Sequence, residues 1–176
     1  MKFFALCLLV AAVLSLSSCS WVKIDDYKNN SPAFKPNDFF VGTMTANGVV
    51  KNRFGKVTRY FNASIEGKWQ GNEGTLVEVF TFDDGEIQHR TWVMTLKPDQ
   101  TLSATAQDVA GKAQGQYQGN AMHFAYDLKV KSGSSEWVLA VEDWMWLTDS
   151  NTLLSESRLS KWGIDVGSVQ LVIHRQ

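Results

Sequence analysis

The sequence predicts an all-β fold, an up-and-down β-barrel of ten short antiparallel strands, with a two-layer β-sandwich as the alternative. Two observations support this fold class. Beyond Phe39 the chain consists of short runs of β-branched and aromatic residues, separated by turn signals such as Asp83-Asp84-Gly85. The same part of the chain has no convincing helical stripe of ten or more residues.

The predicted strands follow one another with connections that are nearly all two to six residues long. Their ranges are 39–45, 56–69, 75–82, 87–96, 101–106, 111–118, 121–131, 136–147, 152–161 and 167–174. The sequence Ala46-Asn47-Gly48 is interpreted as the first turn. Strands joined in this way favour a meander, and a meander removes its unpaired edges by closing. The expected barrel is lipocalin-like, and side chains either fill its interior or share it with one small apolar ligand.

The N-terminal segment has the pattern of a bacterial lipoprotein signal. After the positive start at Lys2, the apolar run 3–16 is too short to span about 30 Å of hydrocarbon. The sequence Leu16-Ser17-Ser18-Cys19 is similar to the lipobox, where a peptidase cuts and acyl chains such as palmitate are attached. Residues 1–18 are therefore expected to be a cleaved signal peptide, and acylated Cys19 to be a membrane anchor. The alternative is an ordinary secretory signal with an incidental cysteine.

The resemblance to lipoproteins also predicts where the protein is sorted. Ser20 stands where lipoproteins retained at the inner membrane have aspartate, which implies the periplasmic face of the outer membrane. Residues 19–37 are polar and lack a sustained period, so they are expected to form a lipidated tether. Residues 38–176 are expected to form the single barrel domain.

Composition argues against several classes of partner and cofactor. The chain has 17 basic and 18 acidic residues, a net charge of −1 and no basic stripe, so nucleic acid is not expected as a partner. The histidines His89, His123 and His174 are scattered, and no His-x-His or Cys-x-x-Cys spacing exists. Neither a metal nor another cofactor is expected.

The strand 136–147 carries two adjacent carboxylates, Glu142 and Asp143, among apolar residues. Strand periodicity sends one carboxylate to each face, so one of them points into the barrel whichever face is inward. A charge in an apolar interior needs a partner, because an unpaired one costs several kcal/mol. The candidate partners are His89, Arg90, Arg158 and Lys161. The sequence does not determine which face is inward, and a buried ion pair with a purely structural role is an open alternative.

The leading functional hypothesis is a binding protein whose Trp-rich barrel takes a lipid or fatty-acyl ligand. The candidate ligand-binding residues are Arg90, Trp92, Asp143, Trp144, Met145 and Lys161. One alternative is an enzyme acting on modified acyl chains, in which Asp143 or Glu142 works as an acid or base with His89 or Lys161. Another is a filled barrel that docks an envelope protein through exposed Trp144 and Trp146.

Glycine recurs every four residues at Gly111, Gly115 and Gly119. A phosphate-binding loop would need a strand-to-helix transition and a Gly-Lys-Ser/Thr ending, and both are missing. These glycines are instead predicted to mark bulges or the close approach of another backbone.

Several short motifs together resemble a family of bacterial lipoproteins known as domain of unknown function 3833. The motifs, in order, are Asp83-Asp84-Gly85-Glu86 with Arg90-Thr91-Trp92, the segment 106–115 with Gly119-Asn120-Ala121, Asp143-Trp144-Met145, and Lys161-Trp162-Gly163 with Val166-Gly167. The resemblance extends from about Phe39 to the C-terminus, with mild departures at Glu142 and Trp162. It implies an anchored, lipocalin-like envelope protein with no established activity. Relatives often accompany enzymes that modify membrane fatty acids, which favours an acyl ligand by association.

Overall fold

The structure, a computed structural model, describes residues 22–132 and 135–176. The predicted signal peptide and Cys19 lie outside the described residues. A 3-10 helix (Ile24–Tyr27) and the short helix α1 (Pro36–Phe39) precede ten strands. The strands are β1 (Gly42–Asn52), β2 (Val57–Gln70), β3 (Glu73–Phe82), β4 (Ile87–Leu96), β5 (Thr101–Thr105), β6 (Val109–Gln118), β7 (Ala121–Ser132), β8 (Ser135–Leu147), β9 (Thr152–Lys161) and β10 (Ile164–Arg175).

The ten strands form one closed antiparallel barrel in which each strand pairs with its neighbours in sequence. The barrel closes between the first and last strands, where β1 pairs with β10 from Met44 opposite Arg175 to Asn52 opposite Gly167. This topology confirms the predicted up-and-down barrel and excludes the sandwich. Among the described strands, closure leaves no unpaired edge, which is how a meander of this length avoids pairing with other chains.

The predicted turn at Ala46-Asn47-Gly48 is wrong, because β1 runs straight through these residues. At Gly48 an added Cβ would lie 2.3 Å from the ring of Phe61 and 2.8 Å from Leu171. The glycine therefore permits close packing across the barrel wall rather than a reversal of the chain. The first turn comes after Asn52, whose side-chain oxygen accepts hydrogen bonds from the backbone N–H groups of Phe54 and Lys56.

The glycines of β6 behave as predicted. Gly111 has a φ of +77° at a shift in register between Ala110 and Gln114. At Gly115 an added Cβ would lie 2.9 Å from the side chains of Leu102 and Phe124. Both a bulge and a close approach are therefore present, and the phosphate-loop interpretation has no support.

The segment before β1 covers one end of the barrel, here called the capped end. Phe34, Phe39 and Phe40 are buried there and pack edge to face, with ring centroids 5.2 to 5.9 Å apart. Backbone N–H of Phe34 donates to Gly119 O at 2.6 Å, which joins the segment to the β6–β7 turn. In the 3-10 helix, the ring of Tyr27 packs 5.7 Å from that of Trp144 on the outer wall. The segment predicted as a tether therefore contacts the barrel at Tyr27 and again from Phe34.

The opposite end, here called the open end, carries the turns β1–β2, β3–β4, β5–β6, β7–β8 and β9–β10. Within residues 22–132 and 135–176, no helix or strand lies across it. The helices of this described part are also too short and polar to cross a bilayer. Access to the interior is thus expected at the open end.

Candidate functional site

The barrel interior contains a cavity of about 270 Å³. Phe40 closes it at the capped end, and the half-buried side chains of Val50, Leu159 and Val169 line it toward the open end. Inward positions alternate along each strand, as Met44 and Ala46 do on β1. The result is a largely apolar space inside the barrel that is reached from the open end.

One wall of the cavity is aromatic. Trp92 on β4 lies against Phe124 and Tyr126 on β7, with ring centroids 5.2 and 5.3 Å apart and the rings tilted steeply. Each edge-to-face pair of this kind stabilises the fold by about 0.5–1.5 kcal/mol in addition to the stabilisation from burying apolar surface. The rings therefore form a stiff surface along one side of the space.

A buried carboxylate faces the cavity from β8. Asp143 is only 6% exposed, and its Oδ1 accepts a hydrogen bond of 2.9 Å from Ser155 Oγ on the neighbouring strand β9. Burial raises the pKa of the Asp143 carboxyl to about 6, although hydrogen bonds from Ser155 and Ser157 oppose the increase. No guanidinium or ammonium group within the described residues forms an ion pair with Asp143.

A second cluster of charged side chains consists of Glu78 on β3, Arg90 on β4 and Asp108 in the connection between β5 and β6. Arg90 Nε donates to Asp108 Oδ2 at 2.9 Å, Nη2 lies 2.8 Å from the same oxygen, and Nη1 lies 4.0 Å from Glu78 Oε2. Burial raises the pKa of Glu78 to about 7, more than the nearby Arg90 lowers it. Glu78 and Arg90 are cross-strand partners, so both side chains project to the same, inner face.

Two further titratable groups line or border the space. Burial raises the pKa of the Tyr126 phenol, and the Asp143 carboxylate adds to this effect. Toward the open end, Arg59 binds both Asp84 and Glu86 at 2.8 Å. The guanidinium also stacks over the ring of Phe82 at 3.8 Å.

Four of the six predicted ligand-binding residues line the cavity: Arg90, Trp92, Asp143 and Met145. Trp144 does not, because it lies on the outer face of β8, where its ring packs 4.6 Å from that of His123 and 5.7 Å from that of Tyr27. Lys161 does not either. Its Nζ donates to the carbonyl of Val138 and lies 4.9 Å from the Trp137 ring centroid.

The structure also shows which carboxylate of β8 points into the barrel. Asp143 points inward and lines the cavity, whereas Glu142 points outward and contacts His123 Nε2. Of the four partners considered for the inward carboxylate, only Arg90 lines the same cavity. His89 is exposed, and Arg158 lies 3.7 Å from Asp165 on the outside.

Sequence reasoning missed Glu78, Tyr126, Ser155 and Ser157. A signal for three of them exists in the strand alternation. Glu78 stands between Leu76 and Phe80 on the inward face of β3, and the two serines stand between Leu153 and Leu159 on that of β9. A polar residue within an apolar alternation is the sequence mark of a buried polar site.

Two other features contribute little to a site. No cluster of three or more His, Cys, Asp or Glu side chains suited to a metal ion is found in the described ranges. A shallow groove of about 660 Å³ runs along the outer wall past Tyr60, Trp146 and Leu154. The groove is larger than the cavity, but most of its lining is exposed or half-buried and its charged residues face solvent. The inner cavity is therefore the better candidate site.

Comparison with known proteins assigns the family. The chain matches the family described as protein of unknown function DUF3833 over residues 13–175, and it belongs to that family. No curated protein matches it significantly.

Two solved structures share the fold. The S-type phycobiliprotein lyase CPES from Guillardia theta aligns with a TM-score of 0.59 and 12% identity, covering 89% of this chain and 98% of the lyase. A protein of unknown function from the DUF3598 family of Nostoc punctiforme aligns with a TM-score of 0.58 and 17% identity, covering 84% of this chain and 51% of that protein. At these identities the likeness establishes the lipocalin-like barrel fold.

Proposed function

We propose that this protein binds one small, largely apolar molecule inside its barrel, with the polar end of the molecule at Asp143 and Arg90. The observation that carries the proposal is the cavity itself, which joins an apolar wall to buried polar groups. Ligand sites in proteins typically combine these two features. The wall binds the apolar part without directionality, and the few polar groups orient the molecule.

The cavity volume limits the size of the ligand. About 270 Å³ corresponds to roughly nine water volumes of about 30 Å³ each. It is slightly below the roughly 300–1,000 Å³ usual for drug-sized ligands. A single acyl chain of about eight to ten carbons fits inside, whereas a longer chain would extend through the open end. The enclosed space is too small for a two-chain phospholipid.

An acyl chain is the ligand class that the lining favours. Side chains such as Ile65, Leu76 and Leu171 offer mainly hydrocarbon surface, and each buried methylene contributes about 0.8 kcal/mol. A flexible chain also adapts to a narrow space between stiff aromatic walls.

Native mass spectrometry tests the binding proposal. The chain carrying Cys19→Ser is purified without detergent, and any bound molecule is extracted and identified. We expect one single-chain lipid or similar amphiphile per protein. Titration with octyl compounds should in addition change the fluorescence of Trp92, which lines the cavity. Protein that carries no ligand and shows no fluorescence response would contradict the proposal.

We propose further that acylated Cys19 anchors the protein at the periplasmic face of the outer membrane. One acyl chain binds membranes marginally, whereas two or more hold a protein stably. We expect the wild-type protein to fractionate with membranes and the Cys19→Ser protein to be released. Mass spectrometry of the N-terminal peptide should show the lipid on Cys19. An unmodified Cys19 in membrane-bound protein would disprove this anchor.

Acid–base chemistry on the bound chain is a second candidate function. A carboxyl group with a pKa of about 6 in a reachable cavity, as at Asp143, has the property that a general acid or base needs near neutral pH. Neither His89 nor Lys161 lines the cavity with it. An enzyme should lose turnover by orders of magnitude in Asp143→Asn, whereas a binding protein should show no conversion of its extracted ligand before or after the change.

A further inference from the structure

We infer that the ligand's polar end is a hydrogen-bond donor, preferably a protonated amine, and that the cavity disfavours a free carboxylate. This inference rests on the proposed function, because it names the chemical class of the molecule bound at that site. It follows from the balance of donors, acceptors and charges around the cavity. The features that carry it are the pairing of Arg90 with carboxylates of the protein and the lack, among the described residues, of a cation paired with Asp143.

Carboxylates outnumber cations in and around the cavity. Two guanidinium groups, those of Arg59 and Arg90, line the cavity together with the carboxyl groups of Glu78 and Asp143. Three more carboxylates pair with these guanidinium groups from outside the lining: Asp84, Glu86 and Asp108. An incoming anion would meet this excess negative charge at low dielectric, where like charges repel more strongly than in water. An incoming cation would reduce it.

The guanidinium of Arg90 is already occupied. Two of its nitrogens bind Asp108 Oδ2, and a third lies 4.0 Å from Glu78. A ligand carboxylate would have to displace Asp108 and leave that half-buried carboxylate without its cation, which is unfavourable for a partly desolvated charge. Toward the open end, Arg59 is held in the same way by Asp84 and Glu86, although its buried Nε–H has no partner among the described residues.

Acceptor capacity is left over around Arg90 and Asp143. Asp108 Oδ1 is buried and has no hydrogen-bond partner within the described part of the chain. Asp143 receives its hydrogen bonds from the hydroxyl groups of Ser155 and Ser157, and no cation of residues 22–132 or 135–176 pairs with it. A carboxylate can accept about four hydrogen bonds. A donor on the ligand, an ammonium or a hydroxyl group, would use the capacity that remains at Asp143.

A matched series of octyl compounds tests the inference. Octylamine, octanol and octanoate share one chain of a length that the cavity accommodates and differ only in the polar end. Their dissociation constants are measured by calorimetry and by tryptophan fluorescence with the Cys19→Ser protein at pH 7.5. We expect octylamine to bind at least tenfold more tightly than octanoate, with octanol between them.

The outcomes separate this inference from the proposed function. If no member of the series binds, the proposed function fails. If all bind and octanoate equals or exceeds octylamine, the barrel binds small apolar molecules as proposed, and the inference about the polar end is overturned.

Variants show which residues cause the preference for octylamine over octanoate. Asp143→Asn keeps the shape of the side chain and removes its charge. The ratio of the affinity for octylamine to that for octanoate should therefore fall at least fivefold, while the affinity for octanol changes little. Glu78→Gln is the second variant, in case Asp143→Asn does not fold, and it should lower the ratio in the same direction. Glu142→Gln is the matched control, because Glu142 is adjacent in sequence and points outward to His123. An equal effect of the control and both inner variants would overturn the inference.

The pH provides an independent readout. Ser155 and Ser157 on β9 and Tyr126 on β7 lie next to Asp143, and Arg90 and Glu78 face it across the cavity. The charge of His123, on the outer face of β7, also lowers the pKa of Asp143. As the pH falls from 7.5 to 5, Asp143 and Glu78 become protonated. The preference for octylamine over octanoate should narrow over this range. A preference that widens on acidification would contradict the inference.

Discussion

At the scale of the residue, the buried carboxyl groups make stability depend on pH. The pKa of Glu78 is raised from 4.5 to about 7 by burial, so the folded state holds this proton over a range in which the unfolded chain has lost it. The contribution to stability is complete below about pH 4.5 and is lost as the pH rises through about 7. Each unit of pKa difference between the folded and unfolded states corresponds to about 1.4 kcal/mol. Glu78 therefore contributes up to about 3 kcal/mol to the free energy of unfolding at low pH.

We therefore expect the free energy of unfolding to decrease as the pH rises from 5 to 8. Asp143 acts in the same direction, from 3.8 to about 6. Glu78→Gln should flatten the decrease, since glutamine does not titrate. Glu66→Gln, on the exposed face of β2, is the control and should retain it. Urea unfolding across this pH range measures the effect, and stability that rises between pH 5 and 8 in the wild type would contradict the expectation.

Trp162 is a residue with an unfavourable backbone. It has a φ of +51° at the β9–β10 turn, and Gly163 follows at +78°. Two-residue turns with both φ values positive prefer Asn-Gly, and a bulky residue in this region costs about 1–2 kcal/mol. The ring is 88% exposed and gains little beyond the cation of Lys161 at 5.1 Å, worth about 0.5–1 kcal/mol at such a site.

Trp162→Asn is therefore expected to stabilise the protein by about 1 kcal/mol, raising the melting temperature by about 2–4 °C. Phe54→Asn is the matched control. Phe54 is 82% exposed at another turn and also faces a cation, Arg53, but its φ is not positive. Thermal unfolding of both variants measures the difference, and an equal effect at the two positions would exclude backbone strain as the cause.

At the scale of the element, the strands were predictable and the inward faces were not. Period-2 patterns and turn residues predicted nine strands close to their observed bounds. The first strand was predicted as 39–45, before a turn at Gly48, whereas β1 is Gly42–Asn52. That error arose because a glycine required by packing against Phe61 resembles a glycine in a turn. On β8 both faces are largely apolar, so alternation alone could not assign Asp143 to the interior. The assignment depends on Ser155 and Ser157, which pairing with β9 brings alongside.

The segment at the capped end depends on one glycine of β2. An added Cβ at Gly67 would lie 2.0 Å from the carbonyl oxygen of Phe40, the atom that accepts a hydrogen bond from Trp69 Nε1. Gly67→Ala should therefore displace Phe40 and lower the free energy of unfolding by about 1–3 kcal/mol. Ser64→Ala, on the outer face of the same strand, should have little effect. Limited proteolysis should cut Gly67→Ala faster before Phe40, and unchanged cleavage would show that the segment packs independently of this contact.

At the scale of the whole molecule, the two ends of the barrel differ in what closes them. Phe34, Phe39 and Phe40 fill the capped end. At the open end, smaller side chains such as Val50 and Val169 leave the cavity accessible. The proposed ligand would therefore enter beside Val50, Leu159 and Val169, and Val169 is level with Ser157 and Asp143 in the strand register. This arrangement implies that the width of the approach, as well as the polar cluster, limits binding.

Val169→Phe tests this by narrowing the approach. Val169 lies inward on β10 opposite Ser157 and Val50, so a larger side chain occupies cavity space next to the polar cluster. We expect the affinity for octyl compounds to fall at least tenfold. The melting temperature should not fall by more than a few degrees, since the added ring fills existing space rather than displacing packed atoms. Val172→Phe makes the same change on the outer face of β10 and should leave binding intact. If both variants bind octyl compounds as the wild type does, the ligand does not enter through this end of the barrel.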